Sequence, residues 1–249
     1  MKTFLLALQF LTAITIKSDL AADSRDLVKS AALYPLVGLI VGLILACGHY
    51  LFGLIWLPMV ADALTVVLLI VVTRALHLDG LGDTLDGVLG SSDRERALEI
   101  MKDTRLGTYG TVGIIAIILL KFVALTSIPD FVKWQALIVF PALSRFSIVQ
   151  LAWRTPYARE KKGLGGAVAG ALSLRELGVA FFTSLIAAFI IMKSLGLICF
   201  AIVIIVTFLY RSLFLWKLGG ITGDVLGCVN EWNETMILLV ISALTRFFI

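Results

Sequence analysis

Three carboxylates stand at i, i+4 and i+7 in the stretch HLDGLGDTLDG, residues 77–87: Asp79, Asp83 and Asp86. On a helix those positions share one face. Carboxylates crowded in this way repel one another unless a cation neutralises them. Mg2+ fits the need, because it takes carboxylate oxygens and fills its other positions with water and substrate phosphate. The structural alternative is a set of salt bridges to Arg94, Arg96 and Arg105. Residues 77–108 hold seven acids (Asp79, Asp83, Asp86, Asp93, Glu95, Glu99, Asp103) against four bases, and that surplus favours a cation. Gly80, Gly82 and Gly87 strip side chains from around the carboxylates, which would let a bulky substrate reach the backbone, at a cost in helix stability. The stretch is therefore expected at a helix end or on a broken helix.

A second group of carboxylates lies in GGITGDVLGCVNEWNE, which brings Thr222, Asp224, Glu231 and Glu234. Asp224 is a candidate to complete a metal shell or to act as a base, with a helix cap as its plain alternative. Around these acids stand candidate anion contacts. Arg159, Lys161 and Lys162 sit in the basic, glycine-rich TPYAREKKGLGG, where phosphate or merely anionic lipid would be attracted. Arg94, Lys102 and Arg105 follow the first acidic stretch. Arg145 lies inside an apolar run, where a base needs an acidic partner, a ligand phosphate or a path back to the interface. His77 is a candidate base, ligand or hydrogen-bonded spacer, and His49 receives no role. In SSDRERALEIMKDTRLGTYG, Ser91 or Ser92 is expected to cap a helix, with Asp93 and Glu95 suited to its first turn and Leu98 and Met101 as its apolar edge.

The elements that must position these groups are membrane helices. The 249-residue chain is 60% hydrophobic and only 15% charged, where soluble domains run near a quarter charged. Mean hydropathy is +1.02. Runs such as GIIAIILLKFVAL and LICFAIVIIVTFLY do not alternate, which excludes barrel strands. The apolar segments are 3–16, 31–57, 62–76, 109–128, 134–151, 177–192, 196–216 and 234–249, separated by short turns near Pro58, Pro129 and Lys193. The expected fold is all-α, a polytopic transmembrane bundle of seven or eight membrane segments in a single domain, residues 1–249. The first segment is either a span or a helix lying in the interface.

The polar connections 17–30, 77–108, 152–176 and 217–233 fall on one side of such a bundle. They gather Lys17, Arg25, Lys29, Arg94, Arg96, Lys102, Arg105, Arg154, Arg159, Lys161, Lys162 and Arg175, whereas the other side offers little beyond Lys133 and Lys193. The excess of basic residues places that side in the cytoplasm and the chain in the inner, cell membrane. The formal charge of +4 is not gathered into one stripe, so nucleic acid is not expected as a partner. Cys47, Cys199 and Cys228 are scattered singly and form neither a disulfide framework nor a zinc site. No dinucleotide fingerprint, P-loop, zinc-protease or nucleophile-elbow motif is present. A transporter would place its acids near the midplane, which the terminal position of these acids disfavours.

HLDGLGDTLDG followed by ALEIMKDTRLGTYG resembles the signature of the cobalamin-5'-phosphate synthase family, also called adenosylcobinamide-GDP ribazoletransferases. YPLVG (34–38), SR (144–145), YAREKKGLG (157–165) and GGITGDVLG with the two later glutamates (219–234) match the same family in the same order. Gly82 stands where the family often has Ala, and Cys228 and Trp232 replace smaller or aliphatic residues; no carboxylate is lost. The resemblance implies a membrane-embedded, Mg2+-dependent transferase for substituted phosphate groups. It would join adenosylcobinamide-GDP to α-ribazole, or to its 5'-phosphate, and release GMP. Asp79, Asp83 and Asp86 would hold Mg2+ on the pyrophosphate, and Asp224 or one of those three would take the proton from the ribazole hydroxyl. His77, Arg94, Lys102, Arg105, Arg145, Arg159, Lys161, Thr222, Glu231 and Glu234 would contact substrate. The bilayer is the expected surrounding, with self-association or other cobamide-assembly enzymes as further partners. A lipid head-group phosphotransferase of the CDP-alcohol type shares the site logic, but the full spacing of its motif is absent.

Overall fold

In a bilayer the backbone finds no water to pair with, so an apolar run satisfies its own N–H and C=O groups by becoming helical. The computed structural model describes residues 1–16, 23–159 and 164–246. Lys17, Lys161 and Lys162 lie outside the described residues. The helices are α1 (Lys2–Leu11), α2 (Ser24–Ala31), α3 (Tyr34–Gly53), α4 (Pro58–Thr73), α5 (Leu76–Gly90), α6 (Arg94–Ile100), α7 (Thr108–Thr126), α8 (Asp130–Ala152), α9 (Leu164–Val168), α10 (Leu174–Leu218) and α11 (Gly223–Thr245). Among the described residues the one β interaction is a parallel bridge between Tyr157 and Ile221. The all-α, multi-pass reading therefore holds.

The expected count of seven or eight membrane segments is not confirmed. Among the described residues, α3, α7, α8 and α10 are long and apolar enough to cross a membrane, and a fifth span results if α4 and α5, bent by 88°, act as one. α1 is ten residues, about 15 Å at 1.5 Å per residue, half a bilayer core. The runs 177–192 and 196–216 both belong to α10, which breaks at Lys193 (φ 51°, ψ −128°). Its two limbs fold back until Gly196 packs on the backbone of Ala188. The last run, as far as Thr245, belongs to α11, whose first half carries Asp224, Glu231 and Glu234. The expected turns do appear: Pro58 opens α4, Pro129 caps α8 and Lys193 breaks α10.

α8 is the axis of the bundle, buried along nearly its whole length. α3 presses on it through Gly38 and Gly42, a small-xxx-small pair. A Cβ on Gly42 would lie 2.5 Å from the Ile138 carbonyl oxygen, and one on Gly38 would strike the Pro141 backbone. No side chain fits at either position.

The acidic stretch is not part of a loop, as the reading of 77–108 as a connection had it. It is the body of α5, packed on α11 and α7. The break before it is real: Arg74 and Ala75 both have φ of 54°. This unusual pair is held where Arg74 donates to the Gln9 carbonyl at 3.0 Å and Ala13 N–H donates to Val72 at 2.7 Å. The glycines of α5 serve helix packing more than substrate access. Gly80 meets the Asp224 backbone, and Gly87 meets Ala97 and Met101 of the α6 segment. The cap of α6 is Asp93, not Ser91 or Ser92; Asp93 accepts from Arg96 N–H at 2.8 Å, while Ser91 Oγ accepts from Asp93 N–H at 3.1 Å. Leu98 and Met101 are buried as expected.

At one end of the bundle the connections converge. Arg94 reaches the carbonyls of Leu218 (2.7 Å) and Ala158 (3.2 Å). Residues 156–158 run beside 221, with Ala158 N–H to Ile221 O at 2.9 Å. At the opposite end, buried Asp62 accepts from Lys133 Nζ at 3.1 Å and pairs with His49 Nε2 at 2.9 Å. His49 and Lys133 are thus a helix-to-helix tie that the sequence reading left without a role.

Candidate active site

Two carboxylates far apart in sequence line one cavity of about 200 Å3 at the converging end. Asp79 comes from α5 and Asp224 from the first turn of α11; His77 and Gly80 complete the polar wall, and Phe10, Leu11, Tyr34, Ile148 and Leu226 are on the apolar side. Close approach of α5 and α11 makes this possible. A Cβ at Gly80 would sit 2.7 Å from the Asp224 carbonyl oxygen, so glycine alone permits that spacing. Phe10 stacks on Tyr34 (centroids 6.1 Å apart, 21° between planes), which seats α1 over the pocket.

Asp83, one turn beyond Asp79 and half-buried, has Asp79, Asp224, Asp86 and Arg159 as its charged neighbours. Asp224 accepts from Arg159 Nη2 at 2.9 Å and from Thr222 Oγ1 at 3.2 Å. Thr222 is itself the cap of α11, accepting from Val225 N–H at 3.2 Å. Arg159 also donates to the Met101 carbonyl at 3.2 Å. Asp79, Asp83, Asp224, Arg159, Thr222 and His77 are therefore together.

Asp86 shares the helical face of the other two but spends its carboxylate differently. It accepts from Gly107 N–H at 2.6 Å and Gly110 N–H at 2.9 Å, capping the N-terminus of α7, where the helix dipole favours a negative charge. Among the described residues no group of three or more His, Cys, Asp or Glu side chains is poised around a single metal position. Mg2+ needs no such cage, since one or two carboxylates with substrate phosphates usually hold it. Asp79, Asp83 and Asp224 present that kind of donor set.

Arg94 is committed to two main-chain carbonyls. Lys102 is exposed, and Arg105 pairs with Asp103 (2.7 Å) beside a surface groove between α6 and α7. The Arg105 hydrogen bonds hold the Asp103 carboxyl down at about 2.

Arg145, Glu231 and Glu234 are buried beneath the cavity. Glu234 takes ion pairs from both Arg145 and Lys121; Lys121 Nζ also donates to Glu231 at 2.6 Å, and Asn230 donates to Glu234 at 3.2 Å. The acidic partner expected for Arg145 is thus Glu234. Arg145 Nη2 lies 3.4 Å from His77 Nδ1, which joins this network to the cavity wall. Lys121 escaped the sequence reading. Its signal was a single ionisable residue in the middle of GIIAIILLKFVAL, a costly position that rarely lacks purpose.

Fold and site together define a multi-pass helical membrane protein with a carboxylate-walled pocket at one end of its bundle. Residues 3–242 match the cobalamin-5-phosphate synthase family. The chain is 41% identical over 244 residues to an adenosylcobinamide-GDP ribazoletransferase of Geotalea daltonii, covering 98% of each chain. It is 35% identical to proteins of the same name from Acetivibrio thermocellus (96% of this chain, 97% of the relative) and Clostridioides difficile (100% of both). No solved structure matches it. The chain belongs to the cobalamin-5-phosphate synthase family, and it is a transferase of cobalamin synthesis.

Proposed function

We propose that this chain joins adenosylcobinamide-GDP to α-ribazole, or to α-ribazole 5'-phosphate, in a Mg2+-dependent reaction at the cavity between α5 and α11. The ribazole hydroxyl oxygen attacks the phosphorus that bears cobinamide. A new P–O bond forms, the P–O bond to GMP breaks with its electron pair going to GMP, and the hydroxyl proton passes to a carboxylate. Such transfers depend on charge neutralisation and in-line positioning more than on covalent help.

The observation that carries this reading is that Asp79 and Asp224 line one cavity with Asp83 alongside. Asp79 and Asp83 would hold Mg2+; when bound, the ion would offset charge on the pyrophosphate. Asp86 orders α7 beside them. Asp224, oriented by Thr222 and Arg159, is the proton acceptor. Arg159 supplies positive charge next to the acids. The apolar wall of Phe10, Leu11 and Ile148 suits a flat heteroaromatic base.

The cavity faces the cytoplasm on this reading, with the chain in the inner membrane. Support comes from the exposed Arg25, Lys29, Arg96, Lys102, Arg105 and Arg175, all on connections at the cavity's end or beside them. The test is direct. Purified protein in detergent is given adenosylcobinamide-GDP, α-ribazole and Mg2+, and GMP release is followed. No release from the intact protein would sink the proposal.

A further inference from the structure

We propose that the outer face of the first limb of α10 is a binding site for one anionic phospholipid, with Arg175 on its phosphate and an acyl chain laid along the helix. The inference uses the membrane-embedded fold and not the catalytic reading of the cavity, so either can fail without the other.

A groove of about 810 Å3 runs along this limb. Arg175 stands at one end and Ile190 at the other, with Gly178, Phe182 and Ile186 between them and Leu39 of α3 on the flank. The α10 positions recur at steps of three and four residues, so they form one stripe of the helix. Phe182, Ile186 and Ile190 are exposed. From Gly178 to Ile190 the helix rises about 18 Å at 1.5 Å per residue. The hydrocarbon of one leaflet is about 15 Å deep, so the stripe seats an acyl chain over its full length.

Gly178 makes the stripe concave. A Cβ on Gly38, Gly42 or Gly196 would strike main-chain atoms of a packed neighbour, whereas one on Gly178 would meet nothing within 4 Å. Glycine weakens a helix interior, and at residue 178 no close helix contact requires it. What it leaves is an indentation open to the bilayer.

Arg175 selects the head group. It lies at the polar start of an apolar limb, which is head-group level for a membrane helix, and it is exposed. Among the described residues its guanidinium has no ion pair or hydrogen bond; only its backbone N–H is used, donating to Ser173 Oγ at 3.2 Å. The neighbouring acid is committed elsewhere. Glu176 accepts from the Ser173 N–H at 2.9 Å and from its hydroxyl, closing the capping box of α10. The guanidinium is therefore free, and its planar fork of donors matches phosphate oxygens. A zwitterionic lipid brings its own ammonium beside the phosphate. An anionic lipid brings the negative charge uncompensated, and Arg175 supplies the missing cation.

Native mass spectrometry of the full chain in detergent, with phosphatidylglycerol and phosphatidylcholine of identical acyl chains, tests the assignment. One basic side chain at a lipid surface favours an anionic lipid by about fivefold. The wild type is expected to retain one phosphatidylglycerol with about that preference over phosphatidylcholine. Arg175→Gln should bind the two alike, while Arg96→Gln, at an exposed position on α6, should keep the preference. Gly178→Leu puts a side chain into the groove and should lose the retained lipid of either kind, with circular dichroism unchanged. Equal retention of the two lipids by the wild type overturns the proposal. So does a preference that survives Arg175→Gln or falls equally in Arg96→Gln, and so does full retention in folded Gly178→Leu. A mass of two chains that Gly178→Leu reduces to one gives the groove to a second copy of the chain and also overturns it. Arg175 is exposed and unpaired, so Arg175→Gln and Arg96→Gln decide by themselves if Gly178→Leu does not fold.

Discussion

Gly80 of α5 faces the backbone of Asp224 of α11 so closely that a methyl group at residue 80 would lie 2.7 Å from the Asp224 carbonyl oxygen and 2.9 Å from its Cα. The contact is main chain against main chain, so no flexible side chain can yield. It sets the distance between the two carboxylate segments.

Gly80→Ala should therefore push α5 and α11 apart at the cavity. A displacement near 1 Å costs about 10²-fold in rate when reacting groups must be aligned. GMP release is expected to fall by about that factor while circular dichroism retains the helix content. Unchanged turnover would mean that the spacing of the two helices does not govern the site.

Asp79 and Asp86 share a helical face and should behave oppositely. Asp86→Ala leaves the Gly107 and Gly110 amides without their acceptor, at a cost of about 1–3 kcal/mol. Thermal unfolding in detergent should show that loss. Asp79→Asn, at an exposed position in the cavity wall, should leave unfolding in place and remove most of the activity. The reverse pattern would exchange the roles assigned here.

Lys121→Met is expected to be among the most destabilising single changes in the chain. It leaves Glu231 buried without its ion pair and Glu234 with Arg145 alone. Removing one partner of a buried pair costs about 3–5 kcal/mol. Lys121→Met with Glu231→Gln should recover part of the loss, because the orphaned charge goes too. A double variant no more stable than the single one would contradict the coupling.

Metal dependence follows from the same donor set. GMP release should stop on chelation and return with Mg2+. The Mg2+ concentration giving half the maximal rate should rise by more than about tenfold in Asp79→Asn and in Asp83→Asn. Undiminished turnover in chelator would remove Mg2+ from the mechanism.

The order of the motifs, the helical character of the apolar runs and the i, i+4, i+7 carboxylates were all legible in the chain, because each depends on local spacing. Pro58 and Pro129 likewise end or open helices wherever they occur. The joint placement of Asp79 with Asp224 was expected only as a pairing of two acidic segments. Several assignments were not legible. Asp86 looks like Asp79 and Asp83 in spacing, yet the N-terminus of α7 claims it. Arg94 looks like an anion contact, yet it ties α6 to the end of α10. Lys121 looks like an interruption of an apolar run until α11 brings Glu231 and Glu234 to it.

The sequence by itself determined that this is a helical membrane protein of its family, with three carboxylates at helical spacing in residues 77–87. Helix periodicity and apolar length are properties of contiguous residues, so they survive without a fold. Only the tertiary structure decided which carboxylate serves the cavity, which caps a helix, and which buried cation each acid meets. Those outcomes depend on which helix faces touch, and contacts such as Gly80 on Asp224 and Gly42 on Ile138 set that across long separations in the chain.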